Sequence, residues 1–240
     1  MTILVTGGQQ GIGLGITRAL TDAGYEVVVA AEAPHDAVAP LPQGARYLRH
    51  DLADLDAIPA LLDAAGPLTA LVANAGVPAR IRGDMLDLTP ANFDHVMGVN
   101  LRGGFFLARA VARRMLAAPA PDYRSLIFVT SVSAALASIE RAEYCLSKAA
   151  AAMMAQLFAL RLAPDGIGVF DIRPGVIDTP MTAGVRETYD ARIKAGLVPA
   201  ARWGQPADIA AVVLPLVRGD FAFATGAVVP VDGGLSIPRL

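Results

Sequence analysis

The sequence predicts an α/β protein: one doubly wound parallel sheet of about seven strands with helices on both faces. Three observations carry that prediction. Short β-branched runs alternate with helical patterns nearly from end to end of the 240 residues. Several of those runs are apolar throughout, as a sheet covered on both faces requires. No internal repeat and no Pro/Gly-rich linker divides the chain, so a single domain over residues 1–240 is expected.

The strands are expected at Ile3–Val5, Glu26–Ala30, Arg46–His50, Ala70–Ala73, Ser125–Thr130, Gly168–Ile172 and Ala227–Pro230. Helices should start near Ile12, Asp54, Pro90, Leu101, Glu143 and Pro206. The first carries Ile16, Ala19, Leu20 and Ala23 on one face, the periodicity of a helix laid on a sheet. Pro119-Ala120-Pro121-Asp122 reads as a helix-ending loop.

Bulk composition narrows the function. The hydrophobic fraction is 54% and the net charge −2, with the basic residues scattered. That leaves no electrostatic footprint for nucleic acid or an anionic membrane. Cys145 is the single cysteine, so no internal disulfide is possible. His35, His50 and His95 lie far apart and read as surface or cap residues, with no metal expected. The N-terminal segment enters a strand at once, without the pattern of a secretory signal. The most apolar helix, Ala149 to Ala163, is interrupted by Gln156 and Arg161 and is short for a bilayer. A soluble, cytoplasmic protein is expected.

The chemistry concentrates at strand ends. Thr6-Gly7-Gly8-Gln9-Gln10-Gly11-Ile12-Gly13 follows strand one and opens a helix. Glycines there let the backbone turn sharply and bring a pyrophosphate against the free N–H groups of the helix start. This is the context in which such a turn signals a dinucleotide, in a Rossmann-type sheet. Glu32, past strand two, is placed to accept hydrogen bonds from the adenosine ribose and to repel a 2′-phosphate; it is equally placed to be a solvated loop residue. With no Arg or Lys near it in sequence, it points to NAD rather than NADP. Asp51 either meets the adenine ring or caps the helix near Asp54, with Leu52 beside it. Asn74-Ala75-Gly76 ends strand four at the same sheet edge, where Asn74 also suits a tight turn.

Tyr144 and Lys148 stand four residues apart at the head of a long Ala/Met/Leu run, hence on one helical face. A phenol is a poor base at neutral pH, and a neighbouring ammonium favours its deprotonated form. Such a pair can exchange protons with an alcohol or carbonyl. By itself the spacing also fits an ordinary helix surface.

Taken together and in order, the motifs resemble the short-chain dehydrogenase/reductase family in its compact single-domain form. The matching pieces are Thr6-Gly7-x-x-x-Gly11-x-Gly13, Asp51, Asn74-Ala75-Gly76, Asn100, Ser131, Tyr144-x-x-x-Lys148, Arg173-Pro174-Gly175 and Val231-Asp232-Gly233-Gly234. They span nearly the whole chain, and the separation between Ser131 and Tyr144 is the family's usual one. The resemblance implies a hydride transfer with a nicotinamide cofactor, interconverting a secondary alcohol and a ketone. Ser131 would hydrogen-bond the substrate oxygen, Tyr144 act as acid or base, and Lys148 hold the nicotinamide ribose. Asn100 would anchor a proton-relaying water. Pro174, Gly175, Val176, Ile177 and Thr179 would fix the carboxamide side of the nicotinamide.

Ser133, Glu140 and Arg141 are candidate substrate contacts, suggesting a polyol, sugar or hydroxy acid. Residues 180–199 resemble the family's mobile substrate-covering segment; Arg186, Arg192 and Lys194 could recognise an anionic substrate there, but most charges on an amphipathic segment face water and they are read as solvated. The resemblance further implies a homo-oligomer, tetramer or dimer, with the helix after Lys148 at an interface. There are departures. Gln10 stands where NADPH users often carry a base, and Ala73 where a second Asn is common. The short, proline-bearing stretch Ala33 to Gly44 predicts that the helix usual there is missing or reduced. Trp203, in Arg202-Trp203-Gly204-Gln205-Pro206, reads as structural. The rival on the same scaffold is an NADPH-dependent 3-oxoacyl-thioester reductase. From another class, a non-catalytic NAD(P) sensor has no use for a Ser131/Tyr144/Lys148 set.

Overall fold

The computed structural model describes residues 1–118 and 122–239; the expected loop at Pro119–Pro121 lies outside them. Seven strands form one parallel sheet: β1 Thr2–Thr6, β2 Glu26–Ala31, β3 Ala45–Arg49, β4 Ala70–Ala73, β5 Arg124–Val129, β6 Ile167–Pro174 and β7 Val228–Val231. Their order across the sheet is β3-β2-β1-β4-β5-β6-β7, all neighbours parallel. Chain direction across the sheet reverses between β1 and β4. That switch point opens a crevice at the carboxyl edge, where ligands bind in sheets of this kind.

The expected strands all form, within one or two residues. Their apolar residues divide by face, as the period of two dictates. One face buries Leu4, Val28, Leu71, Leu126 and Val169 under α2 (Ile58–Ala65), α4 (Gly104–Ala117) and α5 (Ala142–Leu162). The other buries Ile3, Val5, Val29, Ile127 and Ile172 under α1 (Gly11–Asp22) and α7 (Pro206–Arg218). These side chains are essentially inaccessible to water; burying each contributes about 1.5–3 kcal/mol before the entropy of ordering is subtracted.

The helices depart from expectation at three places. The helix expected near Asp54 begins at Ile58, because the Asp54 carboxylate first accepts hydrogen bonds from the N–H groups of Asp56 and Ala57 and closes a turn. The helix expected near Leu101 instead continues from α3 (Pro90–Met97) through a π-helical stretch, Gly98–Gly103, into α4. A π stretch inserts a residue and re-aims the next side chain. Here it brings Asn100 inward. Third, Arg186–Lys194, unassigned from sequence, forms helix α6 after a 3₁₀ segment at Pro180–Val185. As expected, the stretch after β2 holds only a single 3₁₀ turn, His35–Ala37.

Helix α5 also corrects the length expected for the apolar helix. With its flanking turns it runs Ile139–Asp165 and is long and apolar enough, by length and composition, to cross a membrane. Core helices pass the same test. This one packs on β6, and its Phe158 ring lies against Phe128 of β5.

Candidate active site

A cleft of about 660 Å³ runs along the carboxyl edge of the sheet. At one end its wall is backbone. Thr6, the last residue of β1, accepts hydrogen bonds on Oγ1 from the N–H groups of Asn74 and Ala75, at 3.1 and 3.0 Å. The Asn74 amide donates back to the carbonyls of Thr6 and Gly7. These bonds tie the ends of β1 and β4 together across the switch point. Helix α1 starts immediately beside them, and Gly13 shows how closely. A Cβ there would sit 2.1 Å from the Gly7 carbonyl oxygen and 2.7 Å from the Asn74 amide nitrogen. Gln10, at the N-cap, makes no side-chain cap. Among the described residues no side chain accepts from the N–H groups of that first turn, which flank the cleft. Donors, a positive helix end and no side chain in the way fit a pyrophosphate.

Gly7, Gln10, Gly11, Ile12, Gly13, Glu32, Asp51, Leu52, Asn74, Ala75 and Gly76 all line this part of the cleft. The Asp51 carboxylate accepts from the Ala53 N–H at 2.8 Å, so it closes a turn as well as facing the cleft. Two expectations fail here. His50, read as a surface or cap residue, is buried, lines the cleft, and has an Nε2 without a partner among the described residues. Burial pushes its pKa below the usual histidine value, since the charged form loses water. And Glu32 is not remote from every cation: Arg49, opposite Ala31 in the β2–β3 ladder, donates its Nε–H to the Glu32 carbonyl at 3.0 Å. Sheet pairing creates this neighbour, 17 positions away in sequence.

At the other end the wall is made of side chains. Ser131 follows β5 and lines the cleft; its Oγ accepts from the Ser133 N–H at 3.0 Å. Tyr144 and Lys148 extend from one face of α5, with Lys148 Nζ 5.7 Å from the Tyr144 ring centroid. The buried Lys148 ammonium donates to the Val129 carbonyl at 3.1 Å, which points it into the cleft floor. Ser133 also lines the cleft, with a buried hydroxyl free of partners among the described residues. Pro174, Gly175, Val176, Ile177 and Thr179 continue the wall after β6. Gly175 is required there, because a Cβ would lie 2.7 Å from Asp232 Cα, bringing the two C-terminal motifs together.

Two candidates stand outside the cleft lining. Glu140 is exposed beyond its edge. Asn100 is buried behind it, its Oδ1 accepting from the Val77 N–H at 2.7 Å and its amide donating to the Val77 carbonyl and Ser147 Oγ. With its side chain so engaged, Asn100 fixes the chain after β4. Its Oδ1 and Lys148 Nζ both approach Gly76, at 3.1 and 3.5 Å from where a Cβ would stand.

The segment expected to cover the substrate contributes to the cleft wall. Met181, Val185, Tyr189, Arg192 and Leu197 line the cleft. Trp203 holds the segment from beneath: its indole N–H donates to Asp190 at 2.6 Å, and its ring meets Tyr189 and Arg186. Arg186 is also paired with Asp178, and Lys194 is exposed, but Arg192 faces the cleft rather than water alone. Arg82 is a lining residue that sequence reasoning missed.

Comparison with known proteins agrees with this geometry. A family model described as enoyl-(acyl carrier protein) reductase matches residues 7–236. A solved 3-oxoacyl-[acyl-carrier protein] reductase from Brucella melitensis, in complex with NAD, is 45% identical with a TM-score of 0.94, covering 100% of this chain and 98% of that one. A candidate 2-deoxy-d-gluconate 3-dehydrogenase from Agrobacterium tumefaciens, with bound NADP, is 33% identical at a TM-score of 0.85, covering 98% and 95%. Galactitol 2-dehydrogenase from Rhizobium johnstonii is 35% identical over 97% of this chain and 94% of its own. With motifs, topology and relatives in agreement over nearly its full length, the chain belongs to the short-chain dehydrogenase/reductase family of oxidoreductases.

Proposed function

We propose that this protein interconverts a secondary alcohol and a ketone on a small polar substrate, with NAD as the favoured coenzyme. The observation that carries the reading is the convergence of Ser131, Tyr144 and Lys148 on one cleft whose other end is a glycine cradle for a pyrophosphate. When bound, the nicotinamide supplies or accepts the hydride. The protein's residues do the rest. Ser131 Oγ donates a hydrogen bond to the substrate oxygen, steadying it as charge develops. Tyr144 gives that oxygen a proton in reduction and takes one in oxidation. The Lys148 ammonium, beside the Tyr144 ring, holds the nicotinamide ribose. Asn100 acts indirectly, by fixing the chain around Val77 and Gly76.

NAD is favoured by Glu32 at the adenosine end and by the uncharged Gln10. The Brucella relative at 45% identity was solved with NAD. Arg49 beside Glu32 is the specific observation that keeps an NADPH-dependent 3-oxoacyl-thioester reductase as a second reading. We also place the protein in the cytoplasm, as a homo-oligomer. In support, α5 leaves Leu146, Met153, Leu157 and Leu160 exposed along one face, a stripe suited to a second copy.

Nicotinamide absorbance, followed with both coenzymes over polyols, sugars, hydroxy acids and acyl thioesters, tests the reading. Turnover of a small polar alcohol with NAD is expected. A strong preference for NADPH with acyl thioesters would replace it with the second reading.

A further inference from the structure

The charges lining the cleft are unevenly placed. Its two carboxylates, Glu32 and Asp51, both lie at the adenosine end. Among the described residues the end around Tyr144 has none, yet three guanidinium groups line it: Arg82, Arg141 and Arg192. None of the three forms an ion pair among the described residues, whereas Arg186 and Arg202 nearby are bound to Asp178 and Asp208. Arg141 lies with its guanidinium carbon 5.6 Å from the Tyr144 ring centroid. Arg192 rests on the Tyr189 ring at 5.9 Å. Arg82 is brought to Arg141 by a long-range backbone bond, from the Gly83 N–H to the Glu140 carbonyl at 3.2 Å.

Arg141 is half-buried while Arg82 and Arg192 reach the cleft from its exposed rim, and like charges gathered around a concave site favour an anion among them. Arginine suits such an anion when it is a carboxylate, which accepts two parallel N–H groups from the guanidinium fork. Beside the acid/base tyrosine, the anion must belong to the substrate and lie within a few bonds of the reacting carbon.

We infer that the substrate is a small anionic alcohol or ketone, a hydroxy or oxo acid, whose carboxylate is held by Arg141 and Arg82 with Arg192 closing from α6. This names the substrate class of the proposed dehydrogenase site and rests on that reading. Arg141 and Arg82 are then specificity-determining residues, and neutral polyols are poor substrates. A phosphate on a carrier arm is the other source of the same charge, and the experiment separates the two.

Two measurements on the full chain test the inference. The first compares kcat/KM for hydroxy acids of four to six carbons with that for their neutral primary amides and for a coenzyme A thioester, using NAD. The second reads binding of malonate, a dicarboxylate that cannot react, by calorimetry with and without NAD. An acid preferred over its amide by roughly 10- to 100-fold is expected, the range of one or two charged hydrogen bonds. Arg141→Gln and Arg82→Gln should each erase most of that preference and weaken malonate binding, while Arg141→Lys keeps part of both. Equal rates for acid and amide, thioester preference, or malonate binding indifferent to both glutamine variants would each overturn the inference. Arginine-dependent malonate binding without oxidation of any compound would leave the anion site standing and remove the dehydrogenase reading instead.

Discussion

The two ends of the cleft are built on different principles. The end at the glycine turn is walled mainly by backbone, in strand termini, a helix start and glycines packed too closely to carry side chains, with the Glu32 and Asp51 side chains beyond it. The end around Tyr144 is made of side chains carried on α5, the turn after β5 and the segment across α6. Backbone recognition tolerates little change, because each atom is fixed by the sheet. Side-chain recognition can be altered residue by residue while the sheet stands. One scaffold can thereby keep its coenzyme and change its substrate.

Substitutions that hit one end only should show the difference, beginning with the largest effect. Gly13→Ala forces a methyl group onto the Gly7 carbonyl. It should cost about 1–3 kcal/mol of stability by overpacking, and weaken NAD by roughly tenfold or more as the helix start shifts. Thermal melts with and without NAD check both; an unchanged coenzyme affinity would mean the cradle is softer than its contacts imply. Trp203→Phe removes the indole bond to Asp190 and loosens α6. The expected result is a KM for substrate raised about 2- to 10-fold, the value of one hydrogen bond, with NAD affinity intact. A loss of NAD affinity of the same size would show that the two ends are coupled.

The smallest effect is a pH dependence at the adenosine end. Burial lowers the pKa of His50 below its ordinary 6.5. The folded protein then binds that proton less readily than the unfolded chain does. This contribution to stability is complete above pH 6.5 and is lost as the pH falls from there through the folded value. Denaturation midpoints measured between pH 7.5 and about 5 should fall less steeply in His50→Gln than in the parent. A parallel decline in both would place the titration elsewhere.

The same division governs what the sequence reveals. The strands, the glycine turn and the order of motifs are legible because each rests on local rules: alternation, turn chemistry and helix starts. Tyr144 and Lys148 are legible because a helix fixes the relation between neighbours four apart. The π stretch at Gly98–Gly103 is not, since it depends on close packing: a Cβ at Gly103 would lie 2.2 Å from the Leu52 carbonyl oxygen. Nor is Arg82, whose neighbour Gly83 bonds through its N–H to the Glu140 carbonyl, 57 positions further along the chain. Arg49 beside Glu32 and the burial of His50 likewise arise from sheet pairing and packing, not from neighbours in sequence. Arg192 could be read from sequence as either solvated or inward, and only the placement of α6 turns it to the cleft.

The claim at the centre is that the Tyr144 hydroxyl is the group that exchanges the proton. Replacing it with phenylalanine removes one oxygen atom and leaves the ring beside Lys148 and Arg141. Turnover in Tyr144→Phe should fall by about 10²- to 10⁴-fold, the usual worth of a positioned acid or base, with NAD binding by calorimetry nearly unchanged. Full turnover in that variant would contradict the account.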